Sequence, residues 1–305
     1  MICEKIALNE AGTANLFTYC LDPDISYGVT KRWPAVVVVP GGGYLLTATK
    51  EGEAVAAQFL ARGFSCFVLR YAPYLADREA LAGGEVRTDE DAHYPAQELQ
   101  LMCAMHIIHE HAEEWGIDAD AIFTCGFSAG SHISGTLATR WNDPELTSRL
   151  SFAPQGEELR PAGSILAYPM LHGNLRPYFE RMKDVPGNIA FQAPLIERAL
   201  YGHTNPTEEE TAGLNLVNHV GEHVPPLFIW HSIDDPVVNP VDTTRFVCAL
   251  QEAGVPCEYH LYGNGGHGLA CANEHYAKSD AEISERIATW VPMASTWMHE
   301  IAEAR

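Results

Sequence analysis

A chain of 305 residues, 47% hydrophobic and 19% charged, has the make-up of a globular protein able to bury a large core. Nineteen lysines and arginines against 40 acidic residues leave a net charge of −21, which repels phosphate backbones and anionic headgroups and excludes nucleic acid and membrane surfaces as expected partners. Residues 1–12 lack the apolar core of a secretory signal, no apolar run reaches membrane-spanning length, and the eight cysteines show no CxxC spacing, so the expected compartment is the reducing cytoplasm.

Along the chain, short apolar runs alternate with helical patterns, which predicts a mainly parallel sheet of about eight strands with helices on both faces, one unit spanning residues 1–305. Residues 4–8 and 16–21 read as an antiparallel edge pair. Strands are predicted at 35–39, 65–69, 121–125, 164–168, 227–231 and 258–262. Between them, 51–62 and 95–115 read as helices closed by Gly63 and Gly116, 242–253 as one ended by Gly254, and 279–298 as a last helix on the flank of the sheet. Residues 172–226 are too long for a simple crossover. They read as a short helical lid over the carboxyl edge of the sheet, with Phe191, Leu195, Ile196, Leu200 and Tyr201 to bury.

Gly126-Phe127-Ser128-Ala129-Gly130 follows the predicted strand 121–125 and opens a helix near Ser131, the strand–turn–helix context of a nucleophile elbow. A serine on so sharp a turn needs neighbours without bulk, and the helix N-terminus beneath it suits a developing oxyanion. Pro40-Gly41-Gly42-Gly43-Tyr44 lies at the end of strand 35–39, where bare backbone N–H groups can approach a carbonyl oxygen. Phosphate cradling is the weaker reading of that turn, because no GxGxxG spacing and no Lys-Ser/Thr follows. Gly42, Gly43 and Ala129 are the expected donors, and Tyr44 the expected substrate contact; Tyr71, Tyr74 and Trp141 are further aromatics near the site in sequence.

Beyond the strand 227–231 come two adjacent aspartates, which cannot both face one imidazole. The H-x-x-x-D-x-x-V spacing favours Asp235 as the orienting carboxylate, with Asp234 capping backbone N–H groups in the turn. Of the histidines that follow, His267 is the one in a glycine-rich loop after a strand, which makes it the expected base; the order Ser128, Asp235, His267 is that of α/β hydrolases. A metal centre is not expected. In the cluster His106, His109, His111 the HExxH pattern fails at Glu113, and His109 and His111 point to opposite sides of a helix.

Taken together, PGGGY, HAEEWGID, GFSAGSH, HSIDDPVV and GGHG resemble the acetyl-esterase branch of bacterial α/β hydrolases, which includes acetylxylan esterase-like and feruloyl esterase-like members. The resemblance runs from about Pro34 to His267 and includes the segment 200–206. It implies an α/β-hydrolase fold, hydrolysis of short acyl esters, often acetyl groups on hemicellulose-derived sugars, and small-molecule or oligosaccharide ester substrates, with no cofactor. Two departures stand close to the nucleophile: Ser131 in Gly130-Ser131-His132, where many relatives have glycine, and Pro40 in place of the histidine of lipase-type HGGG turns. A feruloyl esterase, an arylformamidase or a prolyl-type peptidase shares the elbow and the chain order; a non-catalytic binding protein on this fold is the reading from another class, against which stand the three residues of the triad.

Overall fold

The computed structural model describes residues 1–22, 31–77, 86–89 and 91–304; the side chain of Phe191, expected to help bury the segment 172–226, lies outside what is described. Among these residues eight strands carry the fold: β1 (Lys5–Ala7), β2 (Asn15–Tyr19), β3 (Trp33–Val39), β4 (Ser65–Arg70), β5 (Ile117–Phe127), β6 (Ser164–Ala167), β7 (Leu227–Ser232) and β8 (Cys257–Tyr262). They form one sheet in the order β1-β2-β4-β3-β5-β6-β7-β8, parallel from β4 through β8, with β1 and β2 joined antiparallel at one edge.

Why β3 is a continuous run of valines follows from its two covered faces. Ala35, Val37 and Val39 point into one apolar cluster while Val36 and Val38 point into the other, so neither face can be polar. β7 repeats the device, with Leu227 and Ile229 on one side and Phe228 and Trp230 on the other. Burying one such side chain is worth about 1.5–3 kcal/mol, and this term holds the centre of the sheet.

Among the described residues ten α-helices surround it: α1 (Glu53–Leu60), α2 (Ala96–Glu110), α3 (Ala129–Arg140), α4 (Pro144–Thr147), α5 (Arg176–Arg181), α6 (Ala193–Tyr201), α7 (Glu208–Gly213), α8 (Pro240–Glu252), α9 (Glu285–Ala288) and α10 (Trp290–Glu303). Their ends are written in local chemistry. α8 opens on Asn239, whose side chain accepts the N–H of Val241, with Pro240 at its first position, and Gly254 follows in the left-handed region. α7 opens on a reciprocal capping box between Thr207 and Glu210.

The expected helix over 279–298 is corrected to three pieces: a 3-10 turn at Asp280–Glu282, then α9, then α10 running on to Glu303. Pro292 is the reason for the new start, since it lacks an N–H and fits only where that donor is unpaired anyway, in a first turn. Ser284 caps α9 through the N–H of Ile287.

The chain passes from β3 to β4 on one side, then crosses to β5 on the other side of β3. The switch point therefore lies between β3 and β5, and the carboxyl ends of all the parallel strands open onto that edge. Between β6 and β7, where the lid was expected, α5 packs inward through Phe179 and α6 through Ile196 and Leu200.

Candidate active site

Ser128 stands between β5 and α3 with φ 52° and ψ −116°, a left-handed conformation that a non-glycine residue adopts only under constraint. The flanking glycines show what constrains it. A Cβ on Gly126 would lie 2.3 Å from the Gly130 carbonyl oxygen, and one on Gly130 would lie 2.1 Å from that of Val39. The turn closes only because both positions are bare. Ser131 turns its hydroxyl away and donates to the carbonyls of Gly126 and Ala167.

The loops after β7 and β8 bring the other two expected residues to this serine. His267 Nε2 is 2.9 Å from Ser128 Oγ, and its Nδ1–H donates to Asp235 Oδ2 at 2.6 Å. Asp234 points elsewhere, its Oδ1 accepting the N–H of Gly266 at 2.9 Å, the turn-capping position expected from its place in the sequence.

Asp235 is fully buried and has four donors: His267, His231 Nε2–H at 2.9 Å, and the backbone N–H groups of Val237 and Val238 at 2.7 and 2.9 Å. Burial alone raises its pKa, but the charge of His267 and the hydrogen bonds from His231 and His267 outweigh it and hold the carboxyl well below its usual range. Burial pushes the His267 pKa down, whereas the attraction and hydrogen bond of Asp235, assisted by Glu51, win and raise it above the ordinary 6.5.

A cavity of about 240 Å³ opens at Ser128 and His267, walled mainly by Leu46, Met170, Leu175, Ile196, Val237 and Val238. Leu175 and Ile196 come from the segment between β6 and β7. Gly42 and Gly43 also face it, both in the left-handed region, and among the described residues the N–H groups of Gly42, Gly43 and Ala129 have no protein acceptor. They are available to an oxygen bound at Ser128.

Tyr44 is not on this wall, contrary to the expectation of a substrate contact. With φ 64° its side chain folds under the loop, fully buried, and its hydroxyl lies 2.6 Å from both Glu98 Oε1 and His132 Nδ1. Nor do Tyr71, Tyr74 or Trp141 line the cavity; the Tyr71 hydroxyl donates toward the carbonyls of Gly41 and Leu46, and the Trp141 indole N–H to that of His223.

Three polar residues at the site escaped the sequence reading: His231, Glu51 and Tyr168. His231 offered a signal, since it stands four residues before Asp235 in the same motif. Its Nδ1 meets the Thr243 hydroxyl at 2.8 Å, which leaves Nε2 to carry the proton toward Asp235. Glu51 lies inside a stretch read only as helix. His106 on α2 and His111 just past its end go to separate partners: His106 stacks on Phe152 and faces Glu158, and His111 stacks on Trp115 and faces Glu114.

The BD-FAE family model matches residues 24–250. Among curated proteins, the chain is 29% identical over 265 residues to endo-1,4-beta-xylanase B of Butyrivibrio fibrisolvens, covering 86% of this chain and 35% of that protein. It is 26% identical over 292 residues to an acetylxylan esterase of Xylanibacter ruminicola, covering 92% of this chain and 51% of that protein. The chain thus spans about half or less of the length of these two relatives. Among solved structures, the carboxylesterase Cest-2923 from Lactobacillus plantarum superposes with a TM-score of 0.75 at 26% identity, covering 98% of both chains. On the match over most of its length, the chain belongs to the BD-FAE family, and its sheet is that of an esterase-like α/β-hydrolase.

Proposed function

We propose that this chain is a carboxylic ester hydrolase that works by acyl transfer through Ser128. The observation that carries the reading is the continuous contact from Ser128 Oγ to His267 Nε2 at 2.9 Å and from His267 Nδ1 to Asp235 at 2.6 Å, beside unpaired N–H groups facing an apolar cavity.

In this mechanism His267 takes the serine proton as Oγ attacks the ester carbonyl, then gives it to the leaving alcohol; water repeats the sequence and frees the acid. Asp235 fixes the imidazole tautomer and stabilises the imidazolium. Gly42, Gly43 and Ala129 donate to the oxyanion, a contribution that is typically among the largest in acyl transfer.

The preferred acyl group is short, acetyl above all, and the alcohol is a hemicellulose-derived carbohydrate. Support comes from the relatives, one named an acetylxylan esterase and one a xylanase, and from the segment between β6 and β7, which crowds the cavity with Leu175 and Ile196 in the role of a lid. Each methylene of a longer chain that finds no wall forgoes about 0.8 kcal/mol of burial. The test is kcat/KM across p-nitrophenyl acetate, butyrate and octanoate, beside acetylated xylo-oligosaccharides. A maximum at acetate with release of acetate from the sugars is expected, and a maximum at octanoate contradicts the acetyl assignment.

A further inference from the structure

A carboxyl group in the wall of the cavity makes no hydrogen bond to Ser128, Asp235 or His267 among the described residues. Glu51 sits in the short 3-10 turn Thr49–Glu51 just before α1, only 3% exposed. A carboxylate so placed is costly unless its oxygens are hydrogen-bonded, and both are. Oε2 accepts the backbone N–H of Gly41 at 2.8 Å, and Oε1 accepts the Tyr168 hydroxyl at 2.7 Å.

These two bonds lead to opposite sides of the site. Gly41 immediately precedes Gly42 and Gly43, and it lies so close to the elbow that a Cβ there would be 2.6 Å from the Phe127 carbonyl oxygen and 2.9 Å from Ser128 Cβ. Its carbonyl receives the Tyr71 hydroxyl, so the residue is held at both ends. On the other side, the Tyr168 oxygen accepts the N–H of Ala270 at 3.1 Å, three residues beyond His267, and the Tyr168 ring packs edge-on against the imidazole at 4.9 Å. Tyr168 and Ala270 have φ 36° and 52°, conformations that non-glycine residues keep only where the surroundings over-determine them. Lys50, next in sequence, does not compete for the carboxylate, because its ammonium pairs with Glu282 at 2.9 Å.

We infer that Glu51 is a positioning residue of the proposed reaction: through Gly41 on one side and Tyr168 and Ala270 on the other, it sets the oxyanion donors in register with His267. The inference rests on the esterase reading. One carboxylate bonds the Gly41 turn directly and reaches the His267 loop through the Tyr168 hydroxyl, and a shift of either loop separates donors from base at the moment the oxyanion forms. Glutamine at this position keeps the size and one acceptor, yet it cannot accept from both donors.

Glu51→Gln, Glu51→Ala and Tyr168→Phe, each made in the full chain, are to be compared with wild type for kcat and KM on p-nitrophenyl acetate, with rates normalised to the pre-steady-state burst. Affinity for a methyl trifluoromethyl ketone, which forms a tetrahedral oxyanion on serine, is measured alongside. Losing one oxyanion donor outright costs about 10²–10³ in kcat, so a displaced loop should cost roughly 10- to 100-fold in Glu51→Gln, with KM within about threefold and ketone affinity falling by a similar factor. Tyr168→Phe should fall in the same direction by less. Should Glu51→Ala fail to fold, the other two variants decide. Full rate per titrated site and unchanged ketone affinity in Glu51→Gln and Tyr168→Phe overturn the inference alone, whereas a wild-type chain that neither turns over esters nor binds the ketone overturns the esterase reading with it.

Discussion

Two clusters in this molecule are built from the same parts, a buried carboxyl group beside histidine, and their surroundings push the carboxyl pKa in opposite directions. Asp235 beside His267 and His231 has four N–H donors for its two oxygens. Glu98, buried with Tyr44 and His132, has the Tyr44 hydroxyl on Oε1, while Oε2 has no partner among the described residues. Burial pushes the Glu98 carboxyl up to about 7 against the Tyr44 hydrogen bond, a backbone hydrogen bond and the charge of Arg140, and pushes His132 down to about 4. Asp235, equally buried, is held well below its usual range. What separates them is the charge of His267 beside Asp235 together with the larger number of donors there, since desolvation acts on both in the same sense. The first arrangement suits a group that must face an imidazolium. The second suits packing: Tyr44 has one proton for two acceptors, and the shortage is met when Glu98 carries its own.

Removing the reacting groups gives the largest contrast. Ser128→Ala or His267→Ala should lower kcat by about 10⁶ while leaving the circular dichroism spectrum and melting temperature near wild type, if triads of the subtilisin kind are a guide. A folded variant with near-normal ester turnover breaks the assignment. At Asp235 the effect should be smaller and selective. Asp235→Asn should cost on the order of 10⁴ through the wrong tautomer of His267. Asp234→Asn, which disturbs only the cap on Gly266, should cost far less, and the reverse order of losses would exchange their roles.

The charge state of the open cluster should also show in pH. The base must be neutral, and the His267 pKa is raised above 6.5, so kcat/KM should fall on the acid side with a midpoint above that value. A midpoint below 6.5 contradicts the attraction of Asp235. For the sealed cluster the sign runs through stability. A carboxyl with a folded pKa of about 7 and an ordinary value of 4.5 binds more protons folded than unfolded across that range, so its contribution falls as pH rises from 4.5 through 7. Glu98→Gln, neutral at every pH, should gain on wild type by roughly 1–3 kcal/mol between pH 5 and pH 9 in denaturant melts. A constant difference across that range would mean that Glu98 is ionised in the fold.

The two clusters also differ in how far the sequence reveals them. Ser128, Asp235 and His267 each sit just past a strand in a glycine-rich or tightly turning loop, and their place after parallel strands brings them to the carboxyl edge of one sheet. The strands were legible for the same reason, because burial on both faces leaves long apolar runs such as Trp33–Val39. Tyr44 was misread because its direction depends on a positive φ and on partners 54 and 88 residues away. The place of Glu51 depends likewise on Tyr168, 117 residues further on. The break before α10 was hidden by an amphipathic pattern that continues through it, although Pro292 marked the place.

The claim that Ser128 is the nucleophile of an ester hydrolase is tested most directly by intact-protein and peptide mass spectrometry after treatment with a fluorophosphonate, with p-nitrophenyl acetate as a competing substrate. The account predicts one phosphonyl adduct per chain, located on the peptide containing Gly126-Phe127-Ser128-Ala129-Gly130, slowed by the ester and absent from Ser128→Ala. An unmodified chain, or an adduct on another residue with Ser128 intact, would contradict it.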